Sequence, residues 1–169
     1  MNKKLDQLVE NTGKGYDRVS VVCIGTDRCT GDCYGPLVGS FLSRYDLFDF
    51  ELMGTLHTPV HALNITESLS KLDTDSSLVI AVDSSLGIAS HVGCIDMGPS
   101  PVRPGSGVGK NLPEVGDIHI TGIVNTSGFL PMLVLQNTRL SLVYSMAEMT
   151  ARTIQHVLYK RCKRRKITV

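Results

Sequence analysis

Two short apolar runs, each ending at a small or polar residue, constrain the fold of this chain more than any other feature. The first covers residues 18–25 and ends at Gly25, and the second covers residues 77–83 and ends at Asp83. Runs of this length without polar alternation are typical of strands that are buried on both faces of a parallel sheet. The sequence therefore predicts that the two runs are strands of such a sheet.

Further helices and strands alternate with these runs. A helix is predicted over residues 35–45, where apolar side chains recur at helical spacing and Pro36 occupies the permitted first turn. The remaining predicted segments are strands over 51–56, 91–97 and 117–124, a helix over 58–72 that Thr58 and Pro59 open, and a long helix from about 137. The expected fold class is α/β, with a three-layer open, mostly parallel sheet, helices on both faces, and a single domain over residues 1–169.

Composition excludes several classes of protein. The 169 residues are 42% hydrophobic and 20% charged, which is ordinary globular usage and argues against disorder. No apolar run reaches the roughly 18 residues that a membrane helix needs, so we expect no membrane partner. The charged start of the chain also lacks the apolar run of a signal peptide, and we therefore expect a cytoplasmic location. The five cysteines are an odd number in a chain with room for a core, which favours reduced thiols. Cys29 and Cys33 form a CxxxC pair, but no second pair completes a zinc set.

Two aspartates stand where ligands bind in folds of this class, because the crevice of an open α/β sheet lies beyond the carboxyl ends of its strands. Asp83 closes the second apolar run, and Asp32 lies between the first run and the helix over 35–45. Two neighbouring carboxyls can act as a general acid and base, or they can bind a divalent metal that activates water. The alternative is that Asp32 only caps a helix and that Asp83 is a solvated strand end.

A glycine-rich loop adds a third segment to the predicted crevice. Its spacing does not match a P-loop, and its position is wrong for a dinucleotide fingerprint. Backbone N–H groups of such a loop can approach a reacting carbonyl, as they do in an oxyanion hole. The residues expected to contact the substrate or the oxyanion are Arg103, Gly105, Ser106, Gly107 and Gly109.

A histidine and a charged tail complete the candidates. His91, eight residues after Asp83, is the histidine expected to carry protons or to support the aspartates without touching the substrate. Residues 160–169 form a basic C-terminal tail with six lysines and arginines. Such a tail is explained by a solvated helix end, and binding of nucleic acid is the alternative.

Three segments in the same order carry a family resemblance: GDCYGPLV at 31–38, VIAVD at 79–83 and RPGSGVG at 103–109. They resemble the germination proteases of spore-forming bacteria and, more closely, the short YyaC-type sporulation proteins of the germination-protease-like family. The resemblance implies a phosphorylase/hydrolase-like fold, which hydrogenase-maturation proteases share, and catalytic roles for Asp32 and Asp83. It also implies hydrolysis of peptide bonds, with small acid-soluble spore proteins as substrates, in the sporulating cell or spore.

One departure bears on the activity. Germination proteases usually have a histidine where this chain has Arg103, and a cation beside the aspartates would lower their pKa values and compete with a metal. Two alternatives to an aspartate-dependent peptidase therefore stay open: a catalytically silent relative that binds proteins, and a metal-dependent hydrolase that uses the same carboxylates. The sequence is also compatible with a homo-oligomer.

Overall fold

The computed structural model describes residues 1–13, 15–45, 50–105 and 112–167, with side chains up to Arg161. In chain order the elements are α1 (Asn2–Asn11), β1 (Arg18–Cys23), α2 (Tyr34–Leu42), β2 (Phe50–Met53), α3 (Ile65–Leu69), β3 (Ser77–Gly87), β4 (Ile95–Gly98), β5 (Ile118–Thr126), α4 (Pro131–Gln136) and α5 (Leu140–Ile167). Single 3-10 turns cover Gly31–Cys33 and Ala89–His91.

The five strands form one open sheet in the order β2-β1-β3-β5-β4. Every neighbouring pair is parallel except β4 with β5, which is antiparallel. The two apolar runs are β1 and β3, which lie side by side, and the first six residues of β3 pair with the whole of β1. The predicted α/β class and the mostly parallel sheet are thereby confirmed.

Alternate residues of the central strands supply two separate cores, because successive side chains of a strand point to opposite faces. Val21 and Ile80 belong to the larger core, which also contains buried apolar residues from α1, α2 and α5. Val22 and Val79 belong to the smaller core, which contains Ile65 of α3. Helices therefore cover both faces, as predicted, and this explains why neither apolar run alternates with polar residues.

The helix predicted over 58–72 is wrong in its extent, because only Ile65–Leu69 is helical. The side chain of Asn64 holds the preceding segment in a turn: its Oδ1 accepts from the His61 N–H at 2.8 Å, and its Nδ2 donates to the Pro59 carbonyl at 3.0 Å. Side-chain bonds of this kind to nearby backbone compete with helix formation.

Other boundaries also differ from the predictions. The strand predicted over 91–97 is β4, which begins only at Ile95, and His91 lies in a 3-10 turn. The long final helix is α5, which begins at Leu140 after the separate short helix α4. β3 continues past Asp83 to Gly87 because pairing with β5 continues across an irregularity after Ser85. Helix α1, which the patterns above do not predict, buries Leu5 and Val9.

The start of the predicted basic tail is bound to α1. The ammonium of Lys160 forms an ion pair with Asp6, and the Arg161 guanidinium donates to the Asp6 carbonyl at 3.1 Å and to the Tyr16 hydroxyl at 3.0 Å. These two cations therefore serve packing between the ends of the chain. The side chains beyond Arg161 lie outside the described part, so nucleic-acid binding by residues 160–169 stays a prediction. Within the described ranges, no helix is both long and apolar enough to span a membrane.

Candidate active site at the carboxyl ends of the strands

Asp32 is held against the end of β1 by close backbone contacts. The Thr26 N–H donates to the Asp32 carbonyl at 3.1 Å. Gly25 makes this approach possible, because its φ is +141° and a Cβ at that position would lie 2.0 Å from the Asp32 carbonyl oxygen. Asp32 does not cap α2, since the N-cap residue is Cys33 and no side-chain cap bond is formed. The capping alternative is therefore wrong.

Asp83 lies in β3 at the point where the fully buried part of the strand ends. Asp83 is only 8% exposed, so the alternative that it is a solvated strand end is wrong. Ser84 connects the two carboxyls: its N–H donates to Asp83 Oδ1 at 2.8 Å, and its hydroxyl donates to Asp32 Oδ1 at 3.3 Å. The loop after β1 and the middle of β3 thus bring the two predicted aspartates to one site.

Burial gives Asp83 an unusual acidity. Loss of water around the carboxyl raises its pKa well above the ordinary range, the negative charge of Asp32 raises it further, and the Ser84 N–H opposes both effects. Asp83 therefore keeps its proton at a pH where an ordinary carboxyl is ionised. A buried acid beside an ionised carboxylate is the arrangement that general acid and base catalysis needs.

Two cavities meet at the aspartate pair, and both are lined by Asp32, Asp83, Gly105 and Leu135. The first cavity, of about 400 Å³, is lined further by the polar residues Ser84, Ser85, Ser100, Arg103, His119 and Thr121, together with Leu86, Pro101 and Val102. The second cavity, of about 240 Å³, is lined further by Cys29, Ala62, Leu63, Leu112 and Met132, together with polar residues of the loop after β1. A bound chain could therefore extend from the pair in two directions.

The remaining predicted residues are placed unequally. Arg103 lines the first cavity, but its Nε forms an ion pair with Glu114 Oε1 at 2.7 Å and its side chain is 77% exposed. Gly105 lines both cavities and has a φ of +72°. His91 is exposed and is not among the lining residues of either cavity. Ser106, Gly107 and Gly109 lie outside the described residues, so the oxyanion loop stays a prediction.

Two residues of the first cavity, His119 and Ser100, are not among the site residues that the sequence predicts. His119 lies in β5 opposite Ala81, two positions before the partner of Asp83, and its side chain lies on the same face as that carboxyl. The available signal was the alternation of β5, in which His119 interrupts isoleucines at 118 and 120. That pattern identifies a polar face but not its nearness to Asp83.

A metal would find two carboxylate ligands at this site. Asp32 and Asp83 offer the oxygen atoms that hard divalent cations prefer, but the described residues contain no group of three candidate ligands. Water or substrate would have to complete the coordination. The CxxxC pair is poorly suited to the task, because burial raises the pKa of the Cys29 thiol and raises the pKa of Cys33 to about 11. Cys33 Sγ instead donates to the Thr30 carbonyl at 2.9 Å.

Comparison with known proteins agrees with this architecture. The crystal structure of a NiFe hydrogenase maturation protease, HycI from Thermococcus kodakarensis KOD1, matches with a TM-score of 0.60 and 19% identity, covering 92% of this chain and 99% of that one. That likeness shows the fold.

The uncharacterized protein YyaC of Bacillus subtilis strain 168 is 52% identical over 135 residues, which are 79% of this chain and 66% of that protein. The resemblance to YyaC-type proteins is thereby confirmed. Residues 1–153 match the family described as protein of unknown function DUF1256, and the chain therefore belongs to that family.

Proposed function

We propose that this protein is a peptidase that hydrolyses peptide bonds with Asp32 and Asp83. The observation that supports this most directly is the buried Asp83 carboxyl, joined to Asp32 through Ser84 and facing two cavities. A structural role does not require a carboxyl to be buried beside a second negative charge, since that placement disfavours ionisation. The fold shared with a maturation protease is consistent with the same activity.

The two carboxyls have different parts in the proposed reaction. Ionised Asp32 takes a proton from a water molecule as the water oxygen bonds to the peptide carbonyl carbon. Protonated Asp83 donates its proton to the carbonyl oxygen, which would otherwise develop a negative charge. The C–N bond then breaks, the leaving amine takes a proton from Asp32, and Asp83 recovers its own proton from the second hydroxyl of the intermediate. Each step uses only the pair and one water.

The substrate and the place of action rest on the resemblance. We propose that the substrates are protein segments, with small acid-soluble spore proteins as the first to test, and that the enzyme acts in the cytoplasm of the sporulating cell or in the spore. The two cavities on either side of the pair suit an extended segment. Arg103 stands where the germination proteases have a histidine, and a cation beside the aspartates would oppose the proposed reaction by lowering their pKa values. Its ion pair with Glu114 directs the cation to a carboxylate outside the pair, which supports activity in this chain.

The test is cleavage of small acid-soluble spore proteins by the purified protein, followed by mass spectrometry of the fragments. We expect discrete fragments, and a loss of rate of at least about 100-fold in Asp32→Asn and in Asp83→Asn, since these changes keep size but remove acid and base. Asp27→Asn is the matched control, because Asp27 is an exposed residue of the same loop. Parallel reactions contain EDTA or a divalent metal.

Each other outcome has a defined meaning. Cleavage that persists in both variants contradicts the carboxylate mechanism. Cleavage that needs added metal and is abolished by EDTA replaces the acid and base mechanism with a metal-dependent one at the same carboxylates. No cleavage under any condition, with binding of the spore proteins retained, identifies a catalytically silent relative.

A further inference from the structure

A second set of reactive groups is formed by Ser100 and His119, which line the first cavity, and by Asp96, which contacts His119. His119 Nδ1 lies 3.0 Å from the Ser100 hydroxyl oxygen, and its Nε2 lies 3.3 Å from Asp96 Oδ2. The imidazole is largely buried, with its side chain 18% exposed, whereas Ser100 is exposed to solvent. Both His119 and Ser100 line the cavity. We call these three residues the Ser100 cluster.

The antiparallel pairing of β4 with β5 assembles this cluster. Gly98 lies directly opposite His119, and the imidazole crosses β4 at this glycine. Asp96 is two residues before Gly98 in the chain, and Ser100 is two residues after it. A Cβ on Gly98 would lie 2.6 Å from His119 Cε1. The absence of a side chain at this one position therefore lets the ring lie across the strand, with one nitrogen toward each neighbour.

The neighbours of His119 permit the tautomer in which Nε2 carries the proton. Burial by itself would raise the pKa of Asp96, but the hydrogen bond from His119, the Met97 N–H and the nearby Lys4 outweigh burial and lower it. The ammonium of Lys4 lies 3.8 Å from Asp96 Oδ1. Ionised Asp96 favours a proton on Nε2, whereas the Ser100 carbonyl oxygen, 3.1 Å from Nδ1, favours a proton on Nδ1. In the Nε2-protonated tautomer, which the proposal uses, the lone pair of Nδ1 faces the Ser100 hydroxyl. A nucleophile, a base and a group that orients the base then follow in order.

We propose that Ser100 is a nucleophile for acyl transfer, with His119 as its general base and Asp96 as a positioning residue that orients the imidazole. The substrate class is a neutral acyl compound, such as a carboxylic ester, bound in the first cavity. A neutral acyl group is specified because Asp32, which lines the same cavity, repels an anionic substrate, and the Arg103 cation that also lines it is already paired with Glu114.

The proposed step is balanced by the cluster, the ester and one water. The Ser100 oxygen bonds to the ester carbonyl carbon while its proton passes to His119 Nδ1. The bond from that carbon to the alcohol oxygen then breaks, and the alcohol leaves with this proton. Water, with His119 again as base, hydrolyses the acyl-serine to a carboxylic acid and restores the hydroxyl. The transient imidazolium has an acceptor at each nitrogen, since Nδ1 also lies 3.1 Å from the Ser100 carbonyl oxygen.

The test uses a fluorophosphonate probe, which bonds through phosphorus to a nucleophilic serine oxygen and loses fluoride. We expect one label on the peptide that contains Ser100 and none there in Ser100→Ala, with the sites identified by peptide mass mapping. His119→Asn should slow labelling by at least about tenfold, because the amide is not a base. Asp96→Asn should slow it by about twofold to tenfold, since Asp96 is 64% exposed and water screens its charge.

The matched control is Ser141→Ala, because Ser141 is an exposed serine of α5 that lines neither cavity, so its loss should not affect the rate. Thermal unfolding of each variant separates loss of reactivity from loss of fold, and the exposed positions of Ser100 and Asp96 make their variants informative even if His119→Asn is unstable. An unlabelled wild-type protein, a label that remains in Ser100→Ala, or an unchanged rate in both His119→Asn and Asp96→Asn would overturn the proposal. The readout is independent of peptide cleavage by the aspartates.

Discussion

A buried hydrogen bond beneath the aspartate site allows a sharp test of the packing. Tyr34, the first residue of α2, donates to or accepts from Thr150 of α5 at 2.7 Å, and both residues are fully buried. Tyr34→Phe removes only the hydroxyl and leaves the Thr150 oxygen without this partner. An unsatisfied buried group of this kind costs about 1–3 kcal/mol. At about 2 kcal/mol, a domain of this size should lose about 4–8 °C in Tm.

The measurement is urea and thermal unfolding of Tyr34→Phe, Thr150→Val and the double variant. Replacing both partners with apolar groups is nearly neutral, so the double variant should lose less stability than the sum of the singles, with a coupling of about 0.5–3 kcal/mol. Tyr144→Phe is the control, because Tyr144 is 44% exposed and should change stability by less than about 0.5 kcal/mol. A Tyr34→Phe protein as stable as the wild type, or additive losses, would refute the argument.

Three further predictions concern single positions. Burial raises the pKa of Asp83 in the folded state above the value of about 3.9 for an Asp in the unfolded chain, so the folded state binds this proton more tightly. The free energy of unfolding should therefore fall as pH rises from about 4 toward the raised pKa of the folded state. Urea unfolding across this range should show that Asp83→Asn lacks this fall. Gly35→Ala should lower the free energy of unfolding by at least about 1–3 kcal/mol, because the new Cβ would lie 2.1 Å from the Ile24 carbonyl oxygen. Gly15→Ala is the control and should be nearly neutral, since a Cβ on Gly15 would meet no atom within 4 Å. Exposed Cys94 should react readily with a thiol reagent, whereas Cys23 should not, because burial raises the Cys23 pKa far above its usual range. Cys94→Ser should therefore lower the number of fast-reacting thiols by one.

The central strands and the aspartate pair could be predicted because their signals are local. A strand that is buried on both faces needs a continuous apolar run, and β1 and β3 carry one each. The change from apolar to polar residues at the carboxyl end of such a run marks the edge where a crevice forms. Asp32 and Asp83 are therefore identifiable from their positions next to these runs.

The features that could not be predicted depend on pairings between distant parts of the chain. His119 meets Asp96 and Ser100 only because β4 pairs antiparallel with β5 in one particular register, and a shift of one residue would turn His119 to the other face. Asp6 binds Lys160 and Arg161, which are more than 150 residues away in the sequence. Periodicity within a segment reports which of its faces is buried, whereas register and long-range charge pairing follow from how the segments pack, and that is decided only in the tertiary structure.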